Sequence, residues 1–207
     1  TDIMTQNQDK QPTVFIVDDD PAIRFAMQAL MDSVNIEHEI FASGDEFLEK
    51  ADDHRAGCLV LDIRMPGLGG LELQEELLKH GSTLPIIFIT GHGDVPMAVD
   101  AMQKGAVDFI QKPFRDQDLL DRIREALKTD QERREEQQKH AEVAERLARL
   151  TNREREVFDL VVTGKPNKVI AYELGVSQRT VEIHRARVME KMQARSLADL
   201  VKMHMTA

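Results

Sequence analysis

Five short apolar runs, each followed by a stretch of helical periodicity, constrain the fold of residues 12–128 more than any other feature of the sequence. The runs are apolar throughout and do not alternate with polar residues, which indicates strands covered on both faces. Alternation of such strands with helices is typical of a doubly wound parallel sheet. We therefore predict a five-stranded α/β domain over residues 12–128. Its predicted strands are Thr13–Val17, Glu39–Phe41, Cys58–Leu61, Pro85–Thr90 and Asp108–Ile110.

A segment rich in helix-forming residues follows this domain. Neither Gly nor Pro occurs between Phe114 and Thr163, and Glu, Gln, Arg, Lys and Ala dominate Thr129–Arg149. Because these residues favour helix, we predict a long helical linker over residues 129–149. A solvated helix is the favoured interpretation, since the sustained heptads of a coiled coil are missing. A short coiled coil is the alternative, and it would use Ala141, Ala144, Leu147 and Ala148.

Short helices separated by glycines are predicted for residues 150–207. Thr151 and Glu154 have the spacing of a capping box at a helix start. Gly175 is placed to end a helix that begins at Asn167, and the next helix begins near Ser177. Two short helices joined by a tight, glycine-containing turn form the helix-turn-helix layout. We therefore predict an all-α helix-turn-helix domain over residues 150–207.

Charge and cysteine content differ along the chain in ways that bear on its partners. Residues 1–128 carry 24 acidic and 12 basic side chains, whereas residues 150–207 carry 7 acidic and 10 basic ones. The acidic part would repel nucleic acid and the C-terminal part would not.

Cys58 is the only cysteine, which excludes an internal disulfide and suits a reducing cytoplasm. No run of 18 apolar residues occurs, so we expect no transmembrane helix and no membrane partner.

Polar side chains stand at the carboxyl ends of four predicted strands, where parallel sheets bind ligands. Clustered carboxylates repel one another unless a cation is present, and hard oxygen ligands favour Mg²⁺, or another divalent cation such as Mn²⁺. A lysine and a hydroxyl beside them could bind a phosphoryl group in line with a carboxylate nucleophile. The residues concerned are Asp18, Asp19, Asp62, Thr90 and Lys112.

Four motifs include these residues: VDDD at 17–20, LDIRMPG at 61–67, TGHGD at 90–94 and KPF at 112–114. Through them residues 13–128 resemble the receiver domain of bacterial two-component response regulators, which has a CheY-like fold. The resemblance implies that Asp62 is the phosphoacceptor. The metal ligands that it implies are Asp18, Asp19, Asp62 and the backbone carbonyl of Arg64, and the implied phosphoryl contacts are Thr90 and Lys112.

The same resemblance places a conformational switch at Thr90 and Phe109. Phe109 has no hydroxyl, so a switch here would depend on packing and not on a phenol hydrogen bond. The resemblance also implies a cis peptide bond between Lys112 and Pro113, which fits the restriction of cis bonds to proline. We interpret Asp20, the third acid of the first motif, as a helix cap and not as a metal ligand.

The C-terminal motifs are LTNREREV at 150–157, PNKVIA at 166–171 and SQRTVEIH at 177–184. Through them residues 150–204 resemble the LuxR/FixJ-type DNA-binding domain, and residues 90–114 are close to the FixJ branch. The resemblance places base contacts at Glu182, Ile183 and Ala186; the two apolar side chains could touch thymine methyls. The other predicted DNA-binding residues are Lys168, Ser177, Arg179, Thr180, Lys191, Arg187 and Asn167. For Arg187 we favour a contact with phosphate over one with guanine. For Asn167 the alternative is a role as helix cap.

These patterns predict a phosphorylation-switched transcription regulator that is not an enzyme. A histidine kinase would phosphorylate Asp62, and the protein would then dimerise, bind double-stranded promoter DNA, act with RNA polymerase and activate transcription. The resemblance implies a dimer surface on helix 4, strand 5 and helix 5, at Val95–Gly105, Asp108–Ile110 and Asp116–Leu127. We expect the protein to be cytoplasmic.

Two alternatives remain open at this point. A phosphatase that forms an aspartyl-phosphate is one, because the three acids at 18–20 fit its Asp-x-Asp pattern formally. Pro21 and the lack of a cap insertion count against it, and it gives residues 150–207 no role. A receiver that acts only through protein partners is the other, and it leaves the helix-turn-helix unexplained.

Overall fold

The computed structural model describes residues 11–91 and 95–206. Within these residues five parallel strands form one sheet in the order β2-β1-β3-β4-β5. The predicted doubly wound fold is confirmed, and each strand lies within one residue of its predicted limits at either end. The strands are β1 (Thr13–Val17), β2 (His38–Phe41), β3 (Gly57–Asp62), β4 (Ile86–Thr90) and β5 (Asp108–Gln111).

Helices follow the strands, and local sequence explains where several of them begin. The carboxylate of Asp20 accepts a hydrogen bond from the Ala22 amide at the start of the first helix, and Pro21 occupies the first helical position. Ser43 caps the second helix in the same way. The helices of this part of the chain are α1 (Pro21–Ser33), α2 (Gly44–Lys50), α3 (Gly70–Lys79), α4 (Val95–Gln103) and α5 (Asp116–Ala148).

Both faces of the sheet are buried, which is why its central strands are apolar throughout. Phe15 and Val17 of β1 face one core, to which α2, α3 and α4 contribute. Val14 and Ile16 face the opposite core, to which α1 and α5 contribute. Cys58 of β3 is fully buried in this second core, and burial raises the pKa of its thiol.

The chain divides into two compact units between Arg134 and Glu135. In the second unit, Val143 and Leu147 from the last turns of α5 are buried in one core with the shorter helices. Leu147 is therefore buried within its own unit, and the coiled-coil alternative for the linker stays a prediction. The shorter helices are α6 (Asn152–Val161), α7 (Asn167–Leu174), α8 (Gln178–Met192) and α9 (Leu197–Thr206).

The helix caps and the helix-ending glycine predicted for the second unit are present. Thr151 and Glu154 form both halves of a capping box at α6. Gly175 ends α7 in the left-handed conformation, with φ of 64°, which glycine adopts without strain. The side chain of Ser177 accepts a hydrogen bond from the Thr180 amide and caps α8. These turns produce the predicted helix-turn-helix of α7 and α8.

Gly70, the first residue of α3, packs directly against the strand that carries Asp62. A Cβ at Gly70 would overlap the carbonyl oxygen of Asp62 and lie 2.9 Å from the Cα of Ile63. Because backbone atoms cannot move aside cheaply, we expect Gly70→Ala to destabilise the first unit by about 1–3 kcal/mol. Urea unfolding followed by far-UV circular dichroism measures this. Gly69→Ala is the matched control, since its Cβ would come too close only to the flexible end of Glu72 and would lie at an ordinary contact distance from the Ile63 carbonyl oxygen. Equal unfolding midpoints for the two variants would contradict the close packing.

Candidate phosphoacceptor site and DNA interface

Three carboxylates meet at the carboxyl ends of β1 and β3. Asp18 follows β1 and Asp62 ends β3, and both are buried, with 1% and 8% of their surface exposed, whereas Asp19 is exposed. One carboxylate oxygen from each of the three lies within 4.8 Å of the others. Parallel neighbouring strands place these acids side by side, as the sequence predicts.

Lys112 compensates for the buried negative charge. Its ammonium nitrogen lies 3.3 Å from a carboxylate oxygen of Asp62 and 3.4 Å from one of Asp18. Burial raises the pKa of Asp62 to about 6, against the lowering effect of Lys112. Burial also raises the pKa of Asp18, although the Asp20 amide and Lys112 oppose the change. The pocket is therefore short of positive charge when only protein groups are counted.

The donor set fits a divalent cation. Oxygen ligands from three acids are close enough to share one ion, and burial raises the pKa of Asp62 although Lys112 lies beside it. Carboxylate oxygens are ligands that Mg²⁺ prefers, and Asp18, Asp19 and Asp62 are the residues that would hold it here. Arg64 lies in the exposed turn after β3, two residues beyond Asp62. Its carbonyl as a fourth ligand stays a prediction.

The loop that carries Asp18 and Asp19 is held by contacts that sequence patterns did not reveal. The backbone amide of Asp20 donates to the Asp18 carboxylate at 2.8 Å, and the guanidinium of Arg24 donates to the Asp18 carbonyl at 2.7 Å. The Asp20 carboxylate itself caps α1, in agreement with its interpretation as a cap. Arg24 was missed because a side chain that binds a main-chain oxygen six residues away leaves no pattern in the sequence.

The predicted switch residues lie on adjacent strands. Thr90 at the end of β4 is fully buried, and its hydroxyl donates to the carbonyl of Ile110 at 3.4 Å. Phe109 on β5 is partly buried against the core that contains α4. The Lys112–Pro113 peptide bond that follows β5 is cis, as the resemblance implies. His92, Gly93 and Asp94 of the TGHGD motif lie outside the described residues.

The second unit presents one side of α8 to solvent. Val181, Val188 and Met192 are fully buried, while Glu182 and Ile183 are exposed, Ile183 at 44%. Ala186 and Arg187 continue the exposed side, and Lys168 on α7 is exposed as well. An exposed apolar side chain among polar ones suits contact with base edges in the major groove.

Contacts within the second unit already engage several of the predicted DNA-binding side chains. The hydroxyls of Ser177 and Thr180 lie 2.9 Å apart at the start of α8, and Arg179 lies 3.6 Å from Glu182. Lys191 donates to the buried carboxylate of Glu154 at 2.6 Å. A phosphate contact at Lys191 would therefore compete with an ion pair.

The Lys191 ion pair completes the capping box of α6. The ammonium group of Lys191 and the Thr151 amide hold the pKa of Glu154 far down, at about 2. Lys191 also donates to the carbonyl of Arg149 at 3.1 Å. These bonds hold the C-terminal end of α8 against the start of α6.

The helix-cap alternative for Asn167 is wrong. Pro166 occupies the N-cap position of α7 without a side-chain bond. The amide oxygen of Asn167 accepts instead from the guanidinium of Arg185 on α8 at 3.0 Å. Its place in DNA binding stays a prediction, and the observed bond fixes α7 against α8.

The buried charge of Asp62 should lower the free energy of unfolding of the metal-free first unit at neutral pH. A raised pKa means that the stability from this group is present below about pH 4 and is lost as the pH rises through about 6. We expect Asp62→Asn to match the wild type near pH 4 and to exceed its free energy of unfolding at pH 7.5 by on the order of 1–3 kcal/mol. Urea titrations in EDTA measure this, and adding Mg²⁺ should narrow the gap. A gap that does not depend on pH would contradict the assigned cause.

No helix among residues 11–91 and 95–206 is both long and apolar enough to cross a membrane. Comparison with known families matches residues 14–124 to "Response regulator receiver domain" and residues 148–204 to "Bacterial regulatory proteins, luxR family". The luxR match begins within α5, where Leu147 enters the core of the second unit.

The chain is similar to regulators over nearly its whole length. It is 49% identical to Nodulation protein W of Bradyrhizobium diazoefficiens, over 93% of this chain and 85% of that protein. It is 44% identical to the transcriptional regulatory protein FixJ of Azorhizobium caulinodans, over 94% and 92%. Among solved structures, the response regulator StyR has 44% identity and a TM-score of 0.88 over 96% of this chain and 100% of that one. Full-length FixJ from B. japonicum has 41% identity and a TM-score of 0.61 over 95% and 97%.

The acidic pocket, the helix-turn-helix and these matches agree on one family. Relatives of the chain are transcription regulators, and a receiver joined to a LuxR-type domain indicates a histidine kinase and DNA as partners. The chain belongs to the two-component response regulators of the FixJ/NarL type, in which a receiver domain precedes a LuxR-family DNA-binding domain.

Proposed function

We propose that a histidine kinase phosphorylates Asp62 and that the phosphorylated chain dimerises, binds promoter DNA and activates transcription with RNA polymerase. The observation that carries the proposal is the buried Asp62 carboxylate, held beside Lys112 and two further acids at one sheet edge. Such a carboxylate can accept a phosphoryl group only if the added negative charge is compensated. Mg²⁺ or Mn²⁺, when bound, would supply the charge that Lys112 alone does not.

The transfer itself needs little from the protein beyond position and charge. An oxygen of Asp62 forms a bond to phosphorus as the bond from phosphorus to the donor's leaving group breaks. Lys112 lies close enough to Asp62 to contact the phosphoryl oxygens after the transfer. Thr90 would have to turn its hydroxyl from the Ile110 carbonyl to reach them, and this reorientation is the change that we assign to the switch.

The first unit carries an apolar surface suited to dimerisation. Val95, Val99 and Met102 recur at helical spacing on one side of α4, with 44%, 47% and 37% of their surface exposed. Val107, just before β5, is 39% exposed. Exposed apolar residues of this kind favour a protein contact. The three on α4 lie within the predicted dimer surface, and Val107 lies directly before its β5 part.

The geometry gives the phosphatase alternative no support. Its Asp-x-Asp pattern would need Asp18 as nucleophile and Asp20 as the second acid. The Asp20 carboxylate caps α1, and the Asp18 carboxylate is held by the Asp20 amide and Lys112. The exposed side of α8 likewise has no role in a receiver that acts only through protein partners.

Two variants separate phosphorylation from dimerisation. With acetyl phosphate and Mg²⁺, we expect the wild type to be labelled on Asp62 and to double its mass in sedimentation. Asp62→Asn should be neither labelled nor dimeric. Val99→Glu should be labelled like the wild type and stay monomeric, because it places a charge in the apolar surface of α4.

Each failure has its own meaning. A label on Asp18 in the wild type would favour the phosphatase, and a label retained by Asp62→Asn would remove the assignment of the phosphoacceptor. A dimer formed by labelled Val99→Glu would move the contact away from α4.

Recognition of DNA is tested by two substitutions on the helix-turn-helix. Ile183→Ala should change which operators are bound, since it removes most of an apolar side chain placed to contact thymine methyl groups. Lys168→Ala should weaken all sequences alike and reduce the salt dependence by about one unit. Binding measured on an operator panel at several salt concentrations distinguishes them. Uniform weakening by Ile183→Ala would show that the exposed side of α8 is not the base-reading side.

A further inference from the structure

A buried carboxylate lies on α5, at the edge of the sheet opposite the acidic pocket. Asp130 is only 1% exposed, and it accepts from the backbone amide of Gly57 at 3.0 Å. Gly57 is the first residue of β3, whereas Asp62 is the last. Asp130 also pairs with Arg133, and with Arg134 at 2.6 Å. A buried charge is stable only when it is paired and hydrogen-bonded in this way.

Arg134 extends the contact to the loop before β3. Its two terminal guanidinium nitrogens donate to the carbonyl of His54 at 2.9 Å and to that of Arg55 at 2.7 Å. The side chain of Arg55 in turn donates to the hydroxyl of Thr13 at 2.6 Å. One guanidinium therefore joins Asp130 to two main-chain carbonyls. We call Asp130, Arg134 and the three backbone groups that they bind the α5 clamp.

The clamp continues the buried side of α5. Leu119, Ile123 and Ala126 are buried at helical spacing, and Asp130 follows four residues after the last of them. Beyond Arg134, residues 135–142 are all exposed. The division between compact units falls directly after Arg134, whereas the receiver family match stops at residue 124. Ten further residues of the helix thus pack as part of the first unit.

Lys112, just before α5, and the α5 clamp contact opposite edges of the sheet. Lys112, which contacts Asp62, precedes the first residue of α5 by four positions. The clamp holds α5 at Asp130, eighteen residues after Lys112, by contacts with the start of β3 and the loop before it. Hydrogen-bond networks and rigid helices of this kind can carry energetic coupling between distant sites.

We infer that the α5 clamp makes the first turns of the linker part of the receiver and couples the state of Asp62 to the linker. The coupling rests on the proposed function, whereas the clamp rests on contacts alone. Loss of the clamp should loosen residues 129–134 and reduce the effect of phosphorylation on DNA binding. It should leave phosphorylation of Asp62 itself unchanged, because the clamp lies at the other sheet edge.

The test uses the full chain with Asp130→Asn and Arg134→Gln. Asp130→Asn is nearly isosteric and removes the charge, and Arg134→Gln tests the other partner should the first variant fold poorly. Glu132→Gln is the matched control, since it removes an exposed carboxylate from the same turn, 4.0 Å from Lys128. Hydrogen exchange with mass spectrometry should show residues 129–134 exchanging about tenfold faster or more in the two clamp variants. The control should exchange like the wild type.

Operator binding before and after acetyl phosphate measures the coupling. We expect the gain in affinity on phosphorylation to fall by about fivefold or more in the clamp variants and to persist in Glu132→Gln. Unchanged exchange in both clamp variants, or faster exchange with an undiminished gain, would overturn the inference. A wild type that gains no affinity would overturn the proposed function instead, and the exchange data would still decide whether the clamp exists.

Discussion

The contact of one ammonium group with two buried carboxylates is the interaction on which the phosphoacceptor site depends. Lys112 lies within 3.4 Å of oxygens from both Asp18 and Asp62. Without that charge, two acids with 1% and 8% exposure would not both stay ionised. Because β1 and β3 are neighbours, Asp18 and Asp62 lie side by side, and Lys112 reaches both from the end of β5, the edge strand. Because Lys112 offsets only part of the negative charge of the two acids, the site can also bind a divalent cation, which would in turn allow a phosphoryl group.

Much of the fold and the pocket could be predicted because the signals are local. Strands covered on both faces are apolar runs, and the carboxyl ends of parallel strands share an edge. Asp18, Asp62 and Lys112 could therefore be brought together without coordinates. The caps at Asp20 and Thr151 depend on short spacings that a sequence displays directly.

Contacts between distant side chains and main-chain atoms could not be predicted. Asp130, Arg133 and Arg134 have the spacing of exposed ion pairs on a charged helix, and only the approach of β3 makes Asp130 buried. Asn167 begins a helix and was compatible with a cap, yet Arg185 binds its side chain from α8. In both cases the partner is tertiary, so residue type and spacing carried no information about it.

Cys58 lies in β3 directly after Gly57, whose amide binds Asp130. It is the only cysteine in the chain, and it has no exposed surface. Burial, and secondarily the charge of Asp130, raises the pKa of its thiol, so the reactive thiolate is scarce in the folded state. A thiol reagent can therefore reach this sulfur only when the core between the sheet and helices α1 and α5 opens. The molecule thus contains a built-in reporter, and its rate of alkylation measures how often the centre of the receiver opens.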